Sequence, residues 1–176
     1  MKNFFIILFF ACFAIQINAY TLYKYDAELS FPWGMSWVDH SKLLITEKKS
    51  YKIKLINTLN NTSINIKHEI PVKGSEQGGL LDIISEGDKV WITCSIKKDD
   101  GFTTAVFKTR LKNNKLIDTK LLFEALPYIN NGKHFGSRMA IKGDYLFVSI
   151  GERGKGMIAQ DPTNTIGSII RINKKD

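Results

Sequence analysis

The sequence predicts an all-β protein of the β-propeller type. Helical periodicity is almost absent, and short runs rich in β-branched and aromatic residues alternate with turns rich in Gly, Asn, Asp and Lys. One sequence pattern begins at Gly34, Gly79 and Ser137. It is typical of a buried strand followed by a tight polar turn and a second apolar strand. Its spacing of roughly 45 to 58 residues is the period expected of propeller blades.

Each repeat predicts the strands of one blade, in order along the chain. GMSWV before KLLITE opens the first blade, GLLDI before KVWIT the second, and SRMAI before YLFVS the third. The predicted strands are 34–38, 42–47, 51–57 and 65–70, then 79–85, 89–96, 103–112 and 115–124, and finally 137–142, 145–151 and 167–173. The chain is therefore expected to hold two complete blades and most of a third.

Two and a half blades cannot close a ring, because propellers typically have about four to eight blades around a central channel. An unclosed array leaves apolar faces and strand edges exposed. We therefore expect residues 20–176 to be an incomplete propeller domain and the chain to be the N-terminal part of a longer protein, truncated by an incomplete or interrupted reading frame.

Residues 1–19 have the pattern of an export signal. Lys2 gives a short positive start, an almost unbroken apolar run covers 4–15, and the small residue Ala19 suits signal-peptidase cleavage. The apolar run is short for a bilayer-spanning helix. We expect a cleaved signal peptide and a periplasmic or secreted protein; an uncleaved anchor and a lipoprotein site at Cys12 are the alternatives.

Charge and cysteine content exclude some classes of function. The formal net charge is +8, but the lysines are scattered and no Arg-rich run occurs, which argues against a nucleic-acid-binding protein. Once the signal is removed, Cys94 is the only cysteine, so neither an intrachain disulfide nor a cysteine cluster for zinc is possible. Cys94 lies in an apolar strand, and we expect it in the core.

His134 and Glu152 are the candidate catalytic residues. His134 lies in a loop entering the inner strand of the third blade, and such loops converge on the mouth of the channel. Glu152 lies in the glycine-rich loop at the end of the next strand and is suited to accept a hydrogen bond from His134. A surface ion pair between Glu152 and a nearby Lys or Arg is the alternative. His40 and His68, in contrast, are expected to face solvent.

Gln77 is the third candidate. It precedes two glycines in the corresponding loop into the second blade. Its amide both donates and accepts hydrogen bonds, as recognition of a polyhydroxy substrate requires. A turn residue with no binding role is the alternative.

Together these motifs resemble the soluble aldose (glucose/sorbosone) dehydrogenases that use pyrroloquinoline quinone (PQQ), and the resemblance runs from about residue 31 to 173. The motifs are PWGM at 32–35, LITE at 44–47, QGGLLD at 77–82, HFGSR at 134–138, GERG at 151–154, AQD at 159–161 and GSIIRIN at 167–173.

The resemblance implies a six-bladed propeller with the quinone at the channel mouth. A histidine at the position of His134 takes the proton from the anomeric hydroxyl while hydride passes to the quinone, and the carboxylate at Glu152 supports it. Gln77 matches a glutamine that lines the cofactor and substrate site. Better-known glucose-oxidising members have Asp in this loop, so Glu152 suggests the broader aldose branch.

In the family, the basic and aromatic residues that clamp the cofactor and the groups that hold its calcium ion lie in later blades and are mostly absent before Asp176, so we expect PQQ and calcium in the full-length parent and an inactive fragment. Two other classes remain open. One is a non-catalytic propeller that binds carbohydrate or protein, since a fold alone does not fix function. The other is a calcium-dependent hydrolase, for which Asp82, Glu152 and Asp161 are too few acidic ligands.

The signal is predicted to be cut after Ala19, because the apolar run ends there and a strand-like pattern begins at once. N-terminal sequencing of exported protein should begin at Tyr20. Retention of Met1, or a lipid on Cys12, would contradict the assignment.

Overall fold

The chain folds into three antiparallel sheets, each with the strand order of one propeller blade. The computed structural model describes residues 20–22, 24–25, 28–99 and 101–175, so the predicted signal at 1–19 lies outside the described residues. The strands are β1 Pro32–Trp37, β2 Lys42–Glu47, β3 Ile53–Asn57 and β4 Thr62–Ile66 in the first blade, β5 Leu80–Glu86, β6 Lys89–Lys98, β7 Gly101–Lys112 and β8 Lys115–Glu124 in the second, and β9 Gly136–Lys142, β10 Tyr145–Ile150 and β11 Ile169–Asn173 in the third.

The predicted fold class is confirmed, with two four-stranded blades and three strands of another. Within each sheet the strands pair in chain order, and the first strand of each blade, β1, β5 or β9, packs beside its counterpart in the next blade. A short 3₁₀ helix, Gly156–Gln160, lies between β10 and β11, where the sequence predicted only loop.

The fourth strand of the first blade is placed wrongly by the sequence pattern. The prediction was 65–70, whereas β4 runs over Thr62–Ile66. The turn at Asn61, whose φ is +53°, returns the chain so early that Thr62 already pairs with Asn57. After Ile66 the chain leaves the sheet and makes only a single bridge, from Lys67 to Lys115 of the second blade.

One histidine expectation is confirmed and one is wrong. His40 is exposed in its turn, as expected. His68 is half-buried, because the chain leaving β4 folds back over the first blade. Its Nε2 lies 2.7 Å from the carbonyl oxygen of Tyr51, and its Nδ1 accepts a hydrogen bond from the backbone N–H of Ile70 at 3.3 Å.

Apolar side chains fill the spaces between the blades. One cluster joins the first and second blades and includes Leu44, Ile53, Leu80, Ile92 and Cys94, and a second joins the second and third blades and includes Trp91, Val106, Leu146 and Val148. The prediction that Cys94 belongs to the core is confirmed, and burial raises the pKa of its thiol. The blades are therefore held together face to face by burial of apolar surface.

The same threonine position also bonds each complete blade to the next. Thr46 Oγ1 accepts from the backbone N–H of Gly34 at 2.9 Å and donates to the carbonyl of Leu81 in the second blade. In the second blade, Thr93 Oγ1 accepts from the N–H of Asp82 at 2.9 Å and donates to the carbonyl of Ser137 in the third, at 3.0 Å. Each hydroxyl thus satisfies a buried amide of its own blade and a carbonyl of its neighbour.

A register break recurs near the start of each inner strand. It lies between Pro32 and Met35 in β1, between Leu80 and Ile83 in β5, and opposite Val148 to Ile150 in β9. Such irregularities bend a strand and redirect the chain that enters it. In the second and third blades, the redirected segments are those that carry Gln77 and His134.

Thr93→Val is expected to lower the free energy of unfolding by about 1–3 kcal/mol, because it leaves a buried N–H and a buried carbonyl without their partner. Urea unfolding measures the change. Thr119→Val is the matched control, since Thr119 is exposed and bonds only within its own blade. An equal effect of the two substitutions would contradict the importance of the bond between blades.

Candidate functional site

The loop before β9 carries His134 in a constrained conformation. His134 has φ +50°, and Gly136 and Ser137 follow with φ +69° and +92°. Positive φ is unfavourable for residues with a Cβ and persists where the surroundings fix it. The imidazole itself remains about half exposed, with 51% of its side-chain surface accessible.

His134 and Glu152 are brought together as the sequence predicted. Nδ1 of His134 is hydrogen-bonded to Oε1 of Glu152, which also accepts from the backbone N–H of Gly154 at 3.1 Å. The hydrogen bond from His134 lowers the pKa of Glu152 below its ordinary value. A carboxylate on Nδ1 fixes the neutral ring as the tautomer whose Nε2 carries the lone pair. The pair thus has the arrangement of a base and its orienting acid.

The two loops that carry this pair touch through their backbones. The N–H of Gly151 donates to the carbonyl of Phe135 at 3.1 Å, and the N–H of Arg153 donates to the carbonyl of His134 at 3.3 Å. A Cβ on Gly151 would overlap the carbonyl oxygen of His134. Glycine at this position is therefore required for the close approach.

Gln77, the third predicted residue, is bonded to the histidine loop. Its Oε1 accepts from the backbone N–H of His134 at 2.9 Å, and its own N–H donates to the carbonyl of Gly132 at 2.8 Å. The loop of the second blade and that of the third therefore support one another. All three residues proposed from the sequence lie at one place.

A pocket of about 430 Å³ opens beside these residues, and all three blades contribute to it. It is lined by Trp33, Lys48, Gln77, Leu81, His134, Phe135 and Gly136. A larger cavity of about 660 Å³ lies between the loops at 126–128 and 158–165. Its polar groups are largely used internally, since Asp161 binds Thr163 and the Asn164 amide binds backbone carbonyls. We therefore place the functional site at the smaller pocket.

Lys48 and Trp33 are pocket residues that the sequence pattern did not single out. Nζ of Lys48 lies 3.6 Å from the centre of the Trp33 ring, and Lys48 forms no ion pair among the described residues. Burial, and secondarily the neighbouring Lys49, lowers the pKa of Lys48. Trp33 belongs to the PWGM motif and Lys48 follows the LITE motif, but only the folded chain shows that they line the same pocket as His134.

Arg138 and Asp82 form an ion pair that is also bonded to the backbone of Trp33. Nη1 of Arg138 lies 3.0 Å from the buried carboxylate of Asp82, and Nη2 donates to the carbonyl of Trp33 at 3.1 Å. The other oxygen of Asp82 accepts from the backbone N–H of Met139 at 2.8 Å. One carboxylate and one guanidinium therefore connect all three inner strands.

The part of the chain that the structure describes contains neither a cluster of metal ligands nor a membrane-spanning helix. No three His, Cys, Asp or Glu side chains there converge as a metal site would require. No helix there is long and apolar enough to cross a membrane.

Known proteins resemble this chain over most of its length. The aldose sugar dehydrogenase YliI of Escherichia coli (strain K12) is 27% identical over 154 residues, which cover 82% of this chain and 42% of that protein. The crystal structure of the soluble aldose sugar dehydrogenase from Escherichia coli in the apo form matches with a TM-score of 0.76 and 28% identity, over 84% of this chain and 45% of that one.

A third match concerns the fold alone. The PQQ-bound aldose sugar dehydrogenase from Streptomyces coelicolor has a TM-score of 0.75 at 20% identity, over 86% of this chain and 47% of that one. This chain thus spans less than half the length of each of these relatives. The model of the Glucose / Sorbosone dehydrogenase family matches residues 29–176. With its blades, its motifs and this match taken together, the chain belongs to the glucose/sorbosone dehydrogenase family.

Proposed function

We propose that this chain carries the proton-accepting residues of a PQQ-dependent dehydrogenase that oxidises the anomeric carbon of aldose sugars to lactones. The observation that supports the proposal most directly is His134, held between Glu152 and Gln77 at the edge of a pocket. A propeller that only binds carbohydrate needs no such pair. The name of the Escherichia coli relative, an aldose sugar dehydrogenase, agrees with this chemistry.

The pocket residues fit part of the proposed cofactor. PQQ is a flat aromatic quinone with several carboxylates. Lys48 offers a cation without an acidic partner among the described residues, and Trp33 offers an aromatic surface next to it. These two residues would hold an anionic edge of the cofactor, and Gln77 would contact it from the second blade. When bound, the quinone supplies the acceptor for the hydride that leaves the sugar.

The role of this chain is to take and hold one proton. Nε2 of His134 accepts the proton of the anomeric hydroxyl, and Nδ1 keeps its hydrogen bond to Glu152. The carboxylate stabilises the resulting imidazolium, as in other base and acid pairs of this kind. Gln77 fixes the backbone of His134 while the charge changes.

The site is proposed to work outside the cytoplasm. The apolar segment ending at Ala19 supports export, followed by release of a protein that begins near Tyr20. Sugar would then be oxidised in the periplasm or the medium, where an external electron acceptor would take the electrons.

His134→Ala is expected to lower sugar oxidation by on the order of 10²- to 10⁴-fold, because the general base is lost. That loss corresponds to about 3 to 5 kcal/mol of transition-state stabilisation. The measurement is PQQ-dependent dye reduction with an aldose by the complete protein that carries this chain. Binding of the quinone should change little, because His134 is assigned no part in holding it.

His40→Ala is the matched control, since it removes an exposed imidazole outside the pocket. It should leave the rate unchanged. Near-normal turnover of His134→Ala, or an equal loss in both variants, would contradict the assigned role.

Glu152→Gln is expected to lower activity less than His134→Ala and to alter how stability depends on pH. Glu152 has a lowered pKa in the folded chain, so its contribution is fully present above its ordinary value of 4.5 and is lost as the pH falls below it. The difference in free energy of unfolding between wild type and Glu152→Gln should therefore shrink as the pH falls below 4.5.

Urea unfolding at several pH values measures this difference. Glu69→Gln serves as the control, because Glu69 is exposed and lies away from the pocket. A difference for Glu152→Gln that stays constant down to acid pH would show that the pair with His134 does not set the protonation of Glu152.

A further inference from the structure

Arg153 is a fully buried arginine located directly beside the proposed catalytic pair. Its residue surface is 0% exposed, and its backbone has φ +57°. The guanidinium carbon lies 3.3 Å from the centre of the Phe135 ring, so the two planar groups stack. Nη2 donates a hydrogen bond to the carbonyl oxygen of Asn131.

Burying this guanidinium costs free energy, and packing alone does not explain why an arginine occupies the position. Nε and Nη1 are buried without hydrogen-bond partners among the described residues, and Arg153 forms no ion pair there. Burial lowers its pKa to about 10, with Glu152 opposing the change, so the group stays charged at neutral pH. An apolar side chain would occupy the same space without the cost of burying a charge. Arg153 therefore has a role beyond packing.

Arg153 contacts residues on both sides of His134 along the chain. The side chain reaches Asn131 on one side of the histidine and Phe135 on the other, and the backbone N–H reaches the carbonyl of His134 itself at 3.3 Å. The preceding residue, Glu152, bonds to the imidazole. Two adjacent residues of one loop thus hold the imidazole and the backbone that carries it.

We propose that Arg153 is a positioning residue, whose stacked guanidinium fixes the loop 131–135 so that the imidazole of His134 meets Glu152 in a single orientation. The catalytic significance rests on the proposed function, but the placement of the imidazole does not. Stacking requires the flat guanidinium of arginine, and lysine keeps the charge without the planar group. Arg153→Lys therefore separates geometry from charge.

The experiment is nitrogen NMR of the histidine side chains in the full chain, at a pH where a free imidazole is neutral. In the wild type, His134 should show two well-separated ring-nitrogen resonances, as expected for one fixed tautomer with hydrogen on Nδ1. In Arg153→Lys the separation should be lost or the signals broadened. Phe135→Leu, which removes the other half of the stack, should give the same result if Arg153→Lys does not fold.

Arg171→Lys is the matched control, because Arg171 lies over the ring of Tyr145 at 4.8 Å, between strands β10 and β11. The same substitution in this stack should leave the His134 signals unchanged. Folded Arg153→Lys and Phe135→Leu variants with wild-type His134 signals would overturn the proposal.

The same spectra distinguish this proposal from the proposed function. If Glu152→Ala, which removes the acceptor of the Nδ1 hydrogen bond, leaves the His134 tautomer unchanged, the base and acid pair is wrong, whatever Arg153 does. If Glu152→Ala changes the tautomer but Arg153→Lys does not, the pair stands and Arg153 has no positioning role.

Discussion

Close packing of the inner strands is the constraint on which the rest of the structure depends. Thr46 and Thr93 each use one hydroxyl to bond the amide of their own inner strand and the carbonyl of the next. Contact is so close near Gly34 that an added Cβ would lie 2.8 Å from the Cα of Asp82. Blades held at this distance place their entry loops side by side. The site is therefore a consequence of packing between blades.

Strand positions could be predicted from the sequence wherever local pattern decides the structure. The strands at 42–47 and 115–124 have the predicted bounds, because polar turns delimit their apolar residues. The position of β4 was predicted wrongly because the strand is mostly exposed. Its pairing with β3 therefore does not require a clear apolar pattern in the sequence. His68 was misjudged for the same reason. Its half-buried position depends on where the chain goes after that strand.

Some residues of the candidate site could likewise be predicted from the sequence, and others could not. His134, Glu152 and Gln77 could be found because each lies in a loop with an unusual composition, at a recurring place in the blade. Lys48 and Arg153 could not be found by such reasoning. Lysine is common throughout this chain, and an arginine beside a glycine normally indicates an exposed turn. Only three-dimensional neighbours distinguish a cation in a pocket, or one beneath a phenylalanine, from a solvated surface charge.

The buried position of Cys94 has a consequence for handling the protein. Its thiol is inaccessible, and burial raises its pKa, so little reactive thiolate forms at neutral pH. It is also the only cysteine among the described residues. Those residues therefore present no accessible thiol for disulfide exchange, alkylation or mercury labelling while they remain folded. Labelling of Cys94 would instead report the opening of the core between the first two blades, and so its rate measures how often they separate.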